Sequence, residues 1–320
     1  MIYNNNKINL FLRYFIALCI ITVLIYYVQS QEDILRVLDK FNIHQLIPAL
    51  LVIILHLVFL YLSWRVIVKK IGCINPKEKY IAHSFLGGRA LGIITPAQSG
   101  ELLKGFFFNS ENRNVVTSLS FIYAAYELIV RTMLGCIGIV YLIYNRLLFY
   151  NYNKYLVTML VILFILAAAI VILLKNRNLI EVLFGFVPKQ VLELFKLLKH
   201  QIQNTSLLWF FNITLLILIA NSLAALAFML ILTGFNINSI NLDGYMAYAT
   251  SYMMMSLLPI TPAGIGINEG SRVYFFSLIG CSPATVLWAS FIMFGLNIIC
   301  PAIIGIWSLR YFWRKPPQIT

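Results

Sequence analysis

The chain has 320 residues, of which 61% are hydrophobic and 11% charged, and a mean hydropathy of +0.87. Soluble domains run at about 45–50% apolar and about 25% charged, so a soluble enzyme and a disordered protein are both excluded. The net charge of +13 sits in short loops between long apolar runs, as the positive-inside rule expects, and not on a polar surface with interleaved aromatics as nucleic-acid binding favours.

A helical crossing takes about 20 apolar residues. Residues 1–28 carry a basic start (Lys7, Arg13) and a long apolar stretch ending in Ile25-Tyr26-Tyr27-Val28 with no small-residue cleavage site after it, which predicts an uncleaved first span. Spans are expected at 9–28, 46–68, 115–143, 155–174, 207–233 and 283–309, with Tyr26, Tyr27, Trp64, Tyr144, Trp209 and Trp307 near their ends as an interfacial belt. Residues 188–203 follow Pro188 with Val191, Leu194, Phe195, Leu198 and Ile202 at helical spacing and Lys189, Glu193, Lys196 and Lys199 opposite. That pattern predicts an amphipathic helix on the cytoplasmic membrane surface, a connector with an affinity for anionic lipid. Cys19, Cys73, Cys136, Cys281 and Cys300 are scattered without a CxxC pair or Cys/His spacing, so no disulfide framework, metal site or cofactor is expected.

Two further apolar regions, 81–108 and 244–280, are broken near the middle by Thr-Pro and Gly. Their arms (81–94, 97–108, 244–260, 266–280) would be roughly 18–26 Å long as helices, short of the ~30 Å hydrocarbon core. Charge decides whether these regions cross or turn back. If both re-enter and the amino terminus is cytoplasmic, sixteen Lys and Arg lie in cytoplasmic segments and only Arg36, Lys40, Arg146 and Lys154 outside. The expected fold is therefore an all-α polytopic membrane protein with six spanning helices and two re-entrant helical hairpins, in one integral membrane domain with both termini cytoplasmic, in a cell (inner) membrane.

The broken regions share a motif. Ile94-Thr95-Pro96-Ala97-x-x-Gly100 recurs as Ile260-Thr261-Pro262-Ala263-x-x-Gly266, with Glu101 and Glu269 following. Each half reads span, span, hairpin, span, and three crossings put the second half (151–320) upside down relative to the first (1–150). Inverted repeats with matched interrupted segments point to a transporter's midplane site. Thr95-Pro96-Ala97-Gln98 reads as a helix start with Thr95 as N-cap, Pro96 at the first helical position and Gln98 closing a capping box; Thr261-Pro262 repeats the cap without the box. A helix starting inside the membrane offers unpaired N–H groups to an anion; alternatively, Pro and Gly only kink ordinary helices.

Seven charged residues fall inside these segments: Arg89, Glu101, Lys104, Glu127, Arg131, Glu269 and Arg272. At about 2.5–3.5 kcal/mol each, they must pair or line a wet cavity. Spacing pairs Glu101 with Lys104, Glu269 with Arg272 and Glu127 with Arg131 on single helix faces; Arg89 has no local mate. The sum of +1 suits one phosphodiester. These pairs either hold helices together or serve a headgroup. His56, alone mid-span, reads as a hydrogen-bonded interior residue, and Met253-Met254-Met255 as packing filler.

Gly88-Arg89-Ala90-Leu91-Gly92-Ile93-Ile94-Thr95-Pro96 followed by Gly100-Glu101-Leu102-Leu103-Lys104 resembles the first signature of the flippase-like, lysylphosphatidylglycerol synthase transmembrane family. Leu258-Pro259-Ile260-Thr261-Pro262-Ala263-Gly264-Ile265-Gly266 with Glu269 resembles the second. Lys104 stands where arginine is common, Ala263 where glycine is common, and Gln98 at a place often basic. The resemblance spans nearly the whole chain and implies a lipid translocator, not an enzyme. Larger members add a soluble aminoacyl-transferring domain or a glycosyltransferase, and neither is expected here. The implied substrate is a membrane lipid: an anionic or aminoacylated phospholipid, or a polyprenyl-linked lipid. Arg89, Lys104 and Arg272, with N–H groups at the Thr95/Gly100 and Thr261/Gly266 elbows, would hold the phosphate. Glu101 and Glu269 would hold an amine or tune the basic residues, with Glu127 and Arg131 alongside. The alternatives are a membrane subunit working with a partner transferase, and a non-transporting scaffold.

Overall fold

The computed structural model describes residues 2–71, 75–95, 98–145, 207–258 and 261–314. Every regular element among them is helical. The order is α1 (Ile2–Gln29), α2 (Ile34–Asp39), α3 (Leu46–Val66, continued by a π turn over Ile67–Ile71), α4 (Glu78–Ile93), a 3₁₀ helix (Ser99–Phe107) and α5 (Ser110–Tyr144). After the undescribed stretch follow α6 (Leu207–Thr233), α7 (Leu242–Leu257), α8 (Ile267–Leu278), α9 (Pro283–Phe294) and α10 (Cys300–Arg314), the last two joined by a π turn over Gly295–Ile299.

Among the described residues, four helices are long and apolar enough to cross a bilayer: Ile43–Lys70, Asn112–Tyr144, Leu208–Thr233 and Pro283–Arg310. They coincide with the runs predicted at 46–68, 115–143, 207–233 and 283–309. The 9–28 run lies within α1. The run at 155–174 and the amphipathic segment 188–203 lie outside the described residues.

The chemistry of α3 explains why such a helix needs lipid. Ala49, Ile53, His56, Leu60, Ser63 and Trp64 face inward. Ile47, Leu50, Leu51, Ile54, Leu55 and Val58 cover the other side, and all are exposed. A helix apolar all round is at home only in a core or a bilayer, and the outward stripe far exceeds what an aqueous surface tolerates. His56 bonds the Ala220 carbonyl through Nδ1 at 2.7 Å, the hydrogen-bonded interior role expected of it, and Met253 is buried in the core.

Both broken regions are pairs of short helices packed on each other, α4 with the 3₁₀ helix and α7 with α8. Pro96, Ala97, Pro259 and Ile260 at the breaks lie outside the described residues. The first pair belongs to a core with Trp64, Phe85, Phe107, Leu119, Tyr123 and Ile217. The second belongs to another with Phe228, Tyr248, Phe276, Leu287 and Met293. Across the molecule α3 packs on α6, α4 on α10, and α7 on α5. Helix α1 makes fewer contacts, chiefly with α8 and α9.

Candidate functional site

The helix starts differ from their predicted form. In the first copy the chain restarts as a helix at Ser99, after Gln98 in the left-handed region at φ 58°. Gln98 makes no side-chain cap, so there is no capping box. Thr95 still serves the helix start, from further upstream: its Oγ1 accepts the Gly100 N–H at 2.6 Å and lies 3.1 Å from the Leu91 carbonyl, to which it donates. Gly100 presses on α4, where an added Cβ would stand 2.3 Å from the Leu91 carbonyl oxygen.

In the second copy the helix begins five residues after Pro262, at Ile267, with Gly266 at φ 85° before it. The Thr261 hydroxyl is fully buried and bonds nothing among the described residues, so Thr261 is not a cap. Glu269 takes that role, its Oε2 accepting the Gly266 N–H at 2.6 Å. The expected Glu269–Arg272 pair is accordingly absent among the described residues. A carboxylate spent on the first turn of its own helix is a favourable N-terminal anion, and it leaves the arginine three residues on without it.

The first hairpin gathers charge as its 3₁₀ geometry dictates. Three residues per turn eclipse i and i+3, which stacks Glu101 on Lys104, Oε2 to Nζ 3.0 Å. Arg89, which the sequence left without a mate, reaches across the hairpin to Glu101 Oε1 at 3.4 Å. The Lys104 side chain is 1% exposed. Its Nζ lies 4.5 Å from the Tyr123 ring centroid and 4.9 Å from that of Trp64, and Phe85 faces both Lys104 and Arg89. An ammonium without water is held here by one carboxylate and the negative faces of aromatic rings.

On α5, Glu127 and Arg131 form the predicted ion pair. Arg131 lies over the Tyr252 ring at 4.4 Å. Tyr252 meets Tyr248 one turn earlier on α7, centroids 5.8 Å apart, and Tyr248 lies 5.2 Å from the Arg272 guanidinium. Phe228 flanks Arg272 from α6 at 4.8 Å. Helix α5 thus meets both hairpins: its Tyr123 faces Lys104 of the first, and its Arg131 leads through Tyr252 and Tyr248 to Arg272 of the second. A cavity of about 10 Å³, room for about one water centre, lies beside it, lined by Arg131, Asn221, Tyr245, Tyr248 and Tyr252 among others.

The structure therefore brings Arg89, Gly100, Glu101 and Lys104 together, ties Thr95 to them through Gly100, and places Glu127 and Arg131 next in line. Gly266, Glu269 and Arg272 stand at the second hairpin, with Thr261 buried at its elbow. The aromatic partners Trp64, Phe85, Tyr123, Phe228, Tyr248 and Tyr252 were not among the predicted site residues. Tyr248 and Tyr252, four apart on one helix face, and Phe85, four residues before Arg89 on α4, carried a usable signal; Trp64, Tyr123 and Phe228 reach the cations from helices distant in sequence.

Both elbows also touch α1. The Tyr14 hydroxyl donates to the Ile94 carbonyl at 3.2 Å, and Gly266 lies against Ile20 and the Ala17 carbonyl. About 9 Å of helix rise separates Tyr14 from Ile20.

No curated protein and no solved structure matches the chain. The model of the lysylphosphatidylglycerol synthase TM region matches residues 14–305, a stretch that holds both hairpins and every charged residue of the candidate site. With its crossing helices, paired short arms and internal charge, the chain is a multi-pass membrane protein and belongs to the lysylphosphatidylglycerol synthase transmembrane-region family.

Proposed function

We propose that this protein moves the headgroup of a phospholipid, or of another lipid-linked anion, between the leaflets of the cell membrane, without itself catalysing a covalent reaction. The observation that carries the reading is buried charge gathered at both hairpins: Arg89 and Lys104 on Glu101 at the first, and Arg131, Tyr252 and Tyr248 leading to Arg272 at the second. Charge inside hydrocarbon is costly and serves a polar substrate by default.

The topology that goes with it has six spans, two re-entrant hairpins and cytoplasmic termini, in repeats 1–150 and 151–320 of opposite orientation. Two observations support it. The arms are too short to cross: α4 has 16 residues and α8 has 12, about 24 and 18 Å. The packing pairs also interchange when the halves are swapped, α4 on α10 corresponding to α7 on α5, as a two-fold relation demands. Rocking of one hairpin against the other would exchange access.

The membrane half of a lipid-modifying system, working with a partner transferase, is the second reading; the family's description as a synthase region favours it. Reconstitution in liposomes with fluorescent phospholipids decides between them. Transport predicts leaflet exchange that falls at least about tenfold in Glu101→Gln combined with Arg272→Ala, the loss of charged hydrogen bonds worth about 1.5–3 kcal/mol each. Exchange that is absent, or unaltered in the double variant, refutes it.

A further inference from the structure

The four cations of the embedded segments are not equivalent. Arg89 and Lys104 share the Glu101 carboxylate, and Arg131 has Glu127. Arg272 has no carboxylate within 4 Å among the described residues, because Glu269 is turned to the Gly266 N–H. The Arg272 residue is 2% exposed. Its Nε and Nη1 bond nothing among the described residues, and the Thr261 hydroxyl and Asn268 Oδ1 of the same hairpin are buried and equally unsatisfied.

A guanidinium does not discharge by losing its proton. Burying it between the Phe228 and Tyr248 rings, 4.8 and 5.2 Å away, offsets only part of the desolvation. What is missing is an acceptor-rich anion, and a phosphate oxygen pair matches the fork of an arginine. Among the described residues no carboxylate of these segments is left free for a cation, since Glu101, Glu127 and Glu269 each already face a cation or an N–H group; the Thr261 hydroxyl can donate to an anion, and Asn268 Oδ1 offers only a neutral acceptor.

Resting on the transport reading, we infer that the second hairpin holds an oxyanion site centred on Arg272, and that substrates are recognised by their phosphate and not by an amine. An aminoacylated phosphatidylglycerol and a plain one are then equally good ligands. Tyr248 touches both Arg272 and the small cavity beside Arg131, so it is the side chain that must shift to admit the headgroup.

Ligand-dependent melting of the purified full chain in detergent tests this. The probes are short-chain phosphatidylglycerol, its lysyl ester, an alkylamine of the same chain length, diacylglycerol and inorganic phosphate. The two phosphatidylglycerols are expected to raise the melting temperature with affinities within about threefold of each other, and the amine and diacylglycerol not at all. Saturation by inorganic phosphate alone at the same concentrations identifies a free-ion site and overturns the lipid assignment.

Arg272→Met should abolish the lipid-dependent shift and leave the ligand-free protein at least as stable as wild type, since it deletes a buried charge that has no carboxylate. Arg89→Met is the contrast, lowering ligand-free stability because it weakens the neutralisation of Glu101. Arg272→Lys keeps charge without the fork, and should weaken binding about tenfold. Failure of Arg272→Met to fold, a ligand-free loss as large as that of Arg89→Met, or a lysyl ester bound more than about tenfold tighter than its parent overturns the inference. Phosphate-dependent binding without leaflet exchange in liposomes upholds this site and removes the transport reading alone.

Discussion

Glu101 is the residue on which the first cluster turns, because two buried cations depend on its two oxygens. Removing one partner of a buried pair costs about 3–5 kcal/mol, since the other charge is left in a low dielectric. Glu101→Gln should therefore destabilise the protein by about that much in denaturant or thermal unfolding, with the Lys104→Met, Glu101→Gln pair recovering part of the loss. Glu78 behaves differently because it stands outside the hydrocarbon. Hydrogen bonds from Arg65 and Lys69 hold its carboxyl down at about 2, below the ordinary glutamate value of about 4.3. A depressed carboxyl stabilises the fold above the unfolded value and ceases to as pH falls through the folded one. Melting temperature should accordingly drop between about pH 4.5 and pH 2, and Glu78→Gln should flatten that limb. The Lys104 ion pair was legible from spacing alone, whereas the Arg89–Glu101 pair was not. It depends on a turn that brings residues twelve apart into contact.

At the scale of elements, the elbows are set by backbone more than by caps. Gly100 meets the Leu91 carbonyl so closely that Gly100→Ala must push the 3₁₀ helix off α4, an overpacking cost of about 1–3 kcal/mol. Protease resistance of the hairpin or the melting temperature reads it. Gly266 combines φ 85° with contact to Ile20. Gly266→Ala should thus weaken both the α8 start and its seat on α1. Adding Ile20→Ala should recover the steric share and leave the conformational share, which a double-mutant cycle separates. The short arms were readable because Thr-Pro and Gly interrupt apolar runs. Which residue starts each second arm was not, since Thr95 and Thr261 sit in one motif yet only Thr95 engages an N–H group. That difference comes from Glu269, whose reach back to Gly266 makes a threonine cap unnecessary.

For the whole molecule, re-entry makes a simple demand: both ends of a hairpin lie on one side of the membrane. Single cysteines in a cysteine-free background at Lys77 and Asn109, flanking the first hairpin, should react with an impermeant maleimide from one face. Cysteines at Ile240 and Ser282, flanking the second, should react from the other. Labelling of Lys77→Cys and Asn109→Cys from opposite faces would mean that 81–108 crosses, and the inverted arrangement fails.

Apolar run length, interruption by proline and glycine, and the skew of lysine and arginine were enough to determine a multi-pass helical protein and the place where each hairpin breaks. Those are local or one-dimensional properties of a chain facing lipid. The wiring of the site was a tertiary decision. The aromatic faces that hold Lys104, Arg131 and Arg272 come from α3, α4, α5, α6 and α7. Glu269 is lost to Arg272 because the backbone at its own helix start brings the Gly266 N–H onto its carboxylate. Sequence spacing lists the partners a charge is able to reach; packing selects the one it keeps.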